Sequence, residues 1–344
     1  MSKKIILSFD YELFFGYKSG TVRKSLIEPT AKMLKAMEKV GAKATYFVDY
    51  LMIKYLEKAN DKICNSDLKL IKEQLHDILR KGHRIELHIH PHWVDAIYNG
   101  DGTWNFDNFS HYMLTSFSIE EINRMFNEGT NTINQIAREV IPDYSVVAFR
   151  AGGWALPQMS VISSSFLRNK IMLDSSLGRG ILINDGYRII DFTKIPTKSF
   201  YHISSDALKE DINGCFIEAP ISTFKYTFID RVINGFYRLL HKNEMKYQCD
   251  GTHSRKDVSF KRDKTYFLKK INRVCRSTVI FFTLSHFSPL VLNHKFKCFN
   301  NEIVIVIDHP KDFSNSSIKT LLLISKSNRF ITYKQLLNQS NEQL

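Results

Sequence analysis

The chain is poor in cysteine, and its five cysteines (Cys64, Cys215, Cys249, Cys275 and Cys298) include no C-x-x-C pair. An odd, scattered set of this kind argues against a disulfide framework or a zinc knuckle. No apolar run approaches the roughly 18 residues that a membrane-crossing helix needs. The opening MSKKIILSFDYE has two lysines before a short apolar stretch, but Asp10 and Glu12 interrupt it at once. It is too short for the apolar core of a signal peptide, and no small-residue cleavage site follows. A reducing, cytoplasmic setting is therefore expected. No repeat at a fixed period and no low-complexity tract is present, which speaks against solenoids and disordered linkers.

What is there suits a globular protein. Of 344 residues, 44% are hydrophobic and 12% aromatic, enough for a sizeable core, and the charged share of 24% is ordinary. The formal net charge is +13 and it is unevenly spread. Residues 221–300 hold 16 Lys/Arg against 5 Asp/Glu, while the rest of the chain is close to neutral. A basic segment of this kind suits nucleic acid, the anionic face of a membrane or an acidic substrate, or it is simply a solvated surface. It carries no recognisable nucleic-acid-binding motif, which ranks nucleic acid last. Residues 228–242 (FIDRVINGFYRLLHK) have helical apolar spacing, with Ile229, Val232, Ile233, Phe236, Leu239 and Leu240 on one side. Such a stripe is either docked on the body or lies at a membrane interface.

Strand and helix signals alternate over the first 180 residues. Short apolar runs predict strands at Lys4–Phe9, Ala44–Val48, Arg84–His90, Ser145–Phe149 and Ile171–Leu173. Between them, Pro29 to Gly41 and Asp67 to Gly82 read as helices, with Asp67 as a cap. Ser118 and Glu121 form a capping box for a helix to about residue 140. Residues 185–300 are irregular, Ile303–Ile307 is a late strand, and a last helix and a short strand at Phe330–Thr332 follow. Strands alternating with helices predict a mostly parallel sheet with crossover helices.

Polar residues collect where these strands end, the place where α/β folds build their sites. Asp10 and Glu12 are two apart and so share a face if the strand persists. Two carboxylates so close call for a cation, which would leave one as ligand and one as base. Taken alone, the pair also fits an ordinary acidic loop. His88, His90 and His92 lie within five residues at another strand end. On a strand all three share one face, and with a turn at Pro91, His88 and His92 would still converge. Two imidazoles, a carboxylate and an open position for water make a zinc-like set. Arg150 precedes a glycine pair and can orient a carboxylate in two-point fashion. Asp174 sits at the next strand end, and His309 follows the late strand, where an imidazole can serve as general acid. His286 is a rival for that role.

Taken in order, these residues resemble the polysaccharide deacetylases of the NodB-homology type, carbohydrate esterase family 4. Ser8-Phe9-Asp10-Tyr11-Glu12 resembles the first motif, Ala44-Thr45-Tyr46-Phe47 the following strand, and Gly82-His83-Arg84-Ile85 with His88 and His92 the second motif. Phe149-Arg150 with its glycines resembles the third, Asp174-Ser175-Ser176 the fourth, and Ile303–Ile307 with His309 the fifth. The likeness is good over residues 4–180, thin over 185–220, and returns at 300–335.

The resemblance implies one distorted (β/α) barrel domain over residues 1–344, with 221–300 as a basic insertion. It implies removal of an N-acetyl or O-acetyl group from a sugar, with a divalent metal, zinc above others, as cofactor. Asp10 would be the base, Glu12, His88 and His92 the ligands, and Arg150 would hold Asp10. His309 would be the acid tuned by Asp174. Gly153 and Trp154 would meet the substrate, with a backbone N–H near Gly153 for the oxyanion. The first motif has Tyr11 between its carboxylates, and Gly152-Gly153-Trp154 replaces the usual proline and tyrosine of the third. These departures keep open a second reading, a carbohydrate-binding or regulatory protein without catalysis. The basic insertion suggests a nucleotide- or lipid-linked substrate of surface-glycan synthesis, and peripheral contact with the inner membrane face.

Overall fold

The computed structural model describes residues 2–253 and 276–341. Much of the basic excess read in 221–300, together with Cys275, falls in 254–275 and so lies outside the described residues. The fold is α/β. An eight-strand mixed sheet curls into a distorted, incompletely closed barrel. Its strands in chain order are β1 (Lys4–Tyr11), β2 (Ala44–Asp49), β3 (Arg84–Ile89), β4 (Ala148–Ala151), β5 (Leu173–Asp174), β6 (Tyr201–Ile203), β7 (Phe216–Glu218) and β8 (Ile303–Asp308). They lie side by side as β6, β7, β5, β4, β3, β2, β1, β8, all parallel except β6, which runs against β7. A short ninth strand, Arg329–Phe330, pairs with the start of β1.

The sheet bends back toward itself through irregular chain. Ser222, just past β7, donates its backbone N–H to the carbonyl of Ile305 in β8, and Ile307 donates to the carbonyl of Phe282. The far edge of β8 is thus partly satisfied without a regular strand, as buried backbone requires.

Parallel β-α units account for the first half. Helices α1 (Glu28–Lys39), α2 (Tyr50–Ala59), α3 (Lys62–Arg80), α4 (Ile119–Arg138) and α5 (Met159–Asn169) cover the outside of the sheet. The capping box expected at Ser118 forms in both directions: Glu121 N–H donates to Ser118 Oγ, and Ser118 N–H donates to Glu121 Oε2. The cap expected at Asp67 does not form. Helix α3 starts six residues earlier, capped by Asp61, which accepts from the Cys64 N–H at 2.7 Å.

Two apolar cores result. The larger fills the space between sheet and helices, with Leu7, Tyr46, Leu75, Phe126 and Phe149 among its members. The smaller lies inside the barrel and includes Ile6, Phe47, Leu173, Ile217 and Ile305. Tyr333, Leu336 and Leu337, from the last helix Tyr333–Asn341, complete it. That inner core closes one end of the barrel. The polar residues gather above it, toward the C-terminal strand ends.

Candidate functional site

Register brings the site together. Alternate residues of a strand share a face, and partners across a parallel pair lie on the same side. Asp49 pairs with His88, and His88 pairs with Arg150, so β2, β3 and β4 contribute one row. Asp10 and Glu12 enter from the end of β1. All five side chains are buried.

Arg150 is the structural hub of the row. Its Nη1 donates to Asp10 Oδ1 at 2.6 Å, Nη2 donates to Ser8 Oγ at 2.9 Å and Tyr333 Oη at 3.0 Å, and Nε donates to the Ser175 carbonyl at 2.7 Å. Its guanidinium lies 4.2 Å from the ring centre of Phe47. A buried cation needs this degree of satisfaction. Burial works to lower its pKa, and the Asp10 charge more than offsets it. Arg150 and Asp10 thus form one buried ion pair.

Glu12 stands at the centre. His88 Nε2 and His90 Nε2 each lie 3.0 Å from its Oε2. Lys311, also buried, donates from Nζ to Glu12 Oε1 at 2.8 Å and to the Leu13 carbonyl at 2.7 Å. Burial would raise the Glu12 pKa, but Lys311, His90 and His88 hold it well below the usual carboxylate range. Burial also works against charge on His88, yet Asp10 and Glu12 push its pKa up to about 9. Burial dominates at His90 and takes it down to about 4.

One donor atom each from Glu12, His88 and His90 lies within 4.8 Å of the others. The structure thus groups His90, and not His92, with Glu12 and His88. The physical reason is the continuation of β3 geometry through Ile89, which returns the chain to the same face at His90. Pro91 then opens a short 3-10 turn, Pro91–Asp95, that carries His92 behind His90. There the two Nδ1 atoms are 3.2 Å apart, and the His92 ring stacks on Tyr112. His92 is placed to orient His90, the position of a second layer around a ligand.

The donor set fits a divalent ion. A carboxylate and two imidazoles suit zinc-type chemistry. His88 Nδ1 faces the Arg150 carbonyl at 2.8 Å and as a donor there fixes the ring, so that Nε2, which meets Glu12, becomes the ligand atom once its proton is given up. The nearness of Lys311 is the one feature that competes, since an ammonium already neutralises Glu12.

The other wall of the site comes from the chain just after β8 and from two histidines of the loops that precede it. His309 Nε2 lies 3.6 Å from Glu12 Oε1 and 3.8 Å from Asp10 Oδ2, and its Nδ1 lies 3.4 Å from Asp312 Oδ2. Asp312 also meets His253 Nε2 at 2.6 Å and His286 Nε2 at 3.7 Å. Burial works against its ionisation, but the three imidazoles hold its pKa well below the usual range. Burial disfavours charge on His309, and its contact with Asp312 reverses this and raises the pKa. Asp174 is not the partner of His309. It is buried at the end of β5 and accepts from Ser176 Oγ and N–H, with Glu218 as its neighbour on β7. The short strands β5 and β7 keep it on the far side of Arg150, and Asp312 takes the tuning position. Asp49, Lys311 and Asp312 were missed by sequence reasoning. Of these only Asp49, at the end of an expected strand, gave a signal.

These groups line a cavity of about 400 Å³ with Asp10, Glu12, His90, His309 and Lys311 on its floor. Gly153, Trp154, Tyr112, Tyr187 and Arg188 form its rim. Gly153 has φ 57°, and a Cβ there would overlap the Tyr112 hydroxyl. Its carbonyl accepts a hydrogen bond from Arg188. Through Trp154, Tyr187 and Arg188 the cavity adjoins a larger one of about 830 Å³, lined also by Leu177, Phe192 and Asp206.

No family model and no curated protein sequence matches the chain. Among solved structures, one from Mycobacterium smegmatis assigned to the polysaccharide deacetylases overlaps 100% of this chain and 92% of its own, at 10% identity and TM-score 0.47. A peptidoglycan deacetylase from Bacillus subtilis overlaps 99% and 93%, at 11% identity and TM-score 0.41. A family 4 carbohydrate esterase from Streptomyces lividans, solved with acetate, overlaps 94% and 87%, at 8% identity and TM-score 0.40. Each is a protein to which the chain is similar, and at such identities its chemistry has to be read from its own side chains.

Proposed function

We propose that the chain is a metal-dependent hydrolase that removes an acetyl group from an amino sugar in a glycan or glycan precursor. The observation that carries this is the convergence of Glu12, His88 and His90 with the Arg150-held Asp10 and with His309 around one cavity. A divalent metal bound by Glu12, His88 and His90 would supply an acidified water and polarise the acetyl carbonyl.

The rest follows from the chain's own residues. Asp10, fixed by Arg150, accepts the proton of the attacking water. The water oxygen bonds to the acetyl carbon, and the carbon–nitrogen bond breaks. His309, charged by virtue of Asp312, delivers its proton to the nitrogen, because an amine anion is too poor a leaving group. Acetate and the free amine result. Tyr112, Trp154, Tyr187 and Arg188 give the sugar an aromatic and hydrogen-bonding rim, and Gly153 is the position where backbone meets substrate. An O-acetyl group would be cleaved by the same path.

The test is mass spectrometry of acetylated sugars incubated with zinc-loaded protein, together with metal analysis of the protein as purified. Loss of an acetyl group and one metal per chain are expected. A second reading is favoured by Lys311, whose ammonium sits where a metal charge would act on Glu12. It makes the chain a deacetylase-like binding protein without catalysis. Wild-type protein that takes up no metal, while Lys311→Met takes it up, would decide for this alternative.

A further inference from the structure

Among the described residues no helix is long and apolar enough to cross a membrane. One helix, α6 (Phe228–Leu240), is nevertheless amphipathic in the inverse sense for a helix docked on a protein. Positions 230, 234, 237 and 241 recur at the spacing of one helical face. All four are polar, and they form the face turned toward the body. Asp230 is buried and accepts from Lys295 Nζ at 2.7 Å. Asn234 is buried, its Oδ1 accepts from the Ser288 N–H at 2.7 Å, and its Nδ2 donates to the His286 carbonyl at 3.3 Å. Tyr237 and His241 are half-buried and stack on each other.

The opposite face is apolar and open. Leu239 is 78% exposed, Leu240 77%, Ile229 68% and Phe236 64%, with Phe228, Val232 and Ile233 beside them. A contiguous apolar surface of this kind marks an interaction site. Its rim is cationic: Lys225, Arg238, Lys242 and Lys246 are all exposed. The two acids of this stretch are already neutralised, Asp230 by Lys295 and Glu244 by Lys319 at 2.6 Å. An apolar face with a positive rim and no free negative charge matches an anionic lipid surface. A second copy of the chain fits less well, because a two-fold contact sets one basic rim against the other.

We infer that α6 lies in the headgroup region of an anionic membrane face and holds the chain there as a peripheral protein. The helix is tied to the site. The His286 carbonyl accepts from Asn234 and Arg238, while His286 lines the cavity. Docking by α6 therefore presents the cavity to a sugar carried by a lipid on the same surface, a step that rests on the hydrolase reading, whereas the docking does not.

The experiment is flotation of the full chain with phosphatidylglycerol-containing vesicles, with pure phosphatidylcholine vesicles as comparison. Wild type is expected to float with the anionic vesicles and to remain behind with the neutral ones. The combined variant Phe236→Ser, Leu239→Ser and Leu240→Ser changes only exposed side chains and should weaken the partition by roughly tenfold or more. Phe236→Trp should show a blue shift on anionic vesicles only. Asp10→Asn should bind vesicles as wild type does, so loss of catalysis and loss of docking are separable. Absence of wild-type flotation overturns the inference. So does equal binding by the triple variant, or a dimer that the triple variant abolishes without any vesicle binding.

Discussion

The two walls of the site are built in different ways. The wall of Asp10, Glu12, His88, His90 and Arg150 stands on strand ends, and parallel register fixes each side chain against the next. The wall of His253, His286, His309 and Asp312 hangs from loops that converge on one carboxylate. The first wall is buried and nearly fully hydrogen-bonded, whereas on the second His253 is exposed and His286 half-buried. The strand wall is suited to hold charge in place, and the loop wall to exchange protons with a substrate. The largest effect expected of this division is on Asp10. Asp10→Asn keeps the size of the side chain and should leave metal binding unchanged, while turnover falls by about three orders of magnitude. Steady-state rates beside metal stoichiometry check it. Full activity of the variant would remove Asp10 from the reaction.

Arg150 tests the same wall through stability. It is fully buried, and so is Asp10, so Arg150→Met leaves an unpaired carboxylate in the barrel. Breaking a buried pair from one side costs about 3–5 kcal/mol. Denaturant unfolding should show a loss of that order. A variant as stable as wild type would mean that Asp10 is held by other groups.

The contrast between the walls also explains what the sequence disclosed. Strands with runs such as KIILSF and IVIVI announced themselves, and with them Asp10, Glu12, Arg150 and His309 at their ends. His90 was within sight, because alternation along β3 puts it on the face of His88. What hid its role was the turn at Pro91, whose geometry no pattern of apolar residues encodes. Asp312 and Lys311 were illegible for a different reason. They lie in a short 3-10 segment, Pro310–Asp312, and acquire partners from residues 12, 253 and 286, far away in sequence. Helix α6 was legible as an amphipathic stripe, but which face turned inward was settled by Lys295, Ser288 and His286, which propensity cannot anticipate.

His90 and His92 sharpen the strand wall. As a direct neighbour of Glu12, His90→Ala should weaken metal binding by more than about a hundredfold, while His92→Ala, which only loses the support of His90, should cost about tenfold. Titration of the apo variants with zinc against a competing chelator gives both numbers. The reverse order would restore the four-residue spacing of His88 and His92 as the ligand pair. Binding should also tighten with rising pH toward 9, because His88 must give up a proton held up to about that value.

The smallest effect concerns the loop wall alone. Asp312 faces His309, His286 and His253, and its charge raises the His309 pKa against the effect of burial. An acid with a raised pKa stays protonated to higher pH, so the alkaline limb of the pH–rate profile reports its deprotonation. Asp312→Asn removes the negative charge and keeps the shape. The His309 pKa then falls, and the alkaline limb should move to lower pH by about one unit. Turnover at low pH, where His309 is protonated in either protein, should change little. A uniform loss of activity at all pH values would instead show Asp312 acting only as a support for the loops, and an unmoved limb would pass the role of acid to another group on this wall.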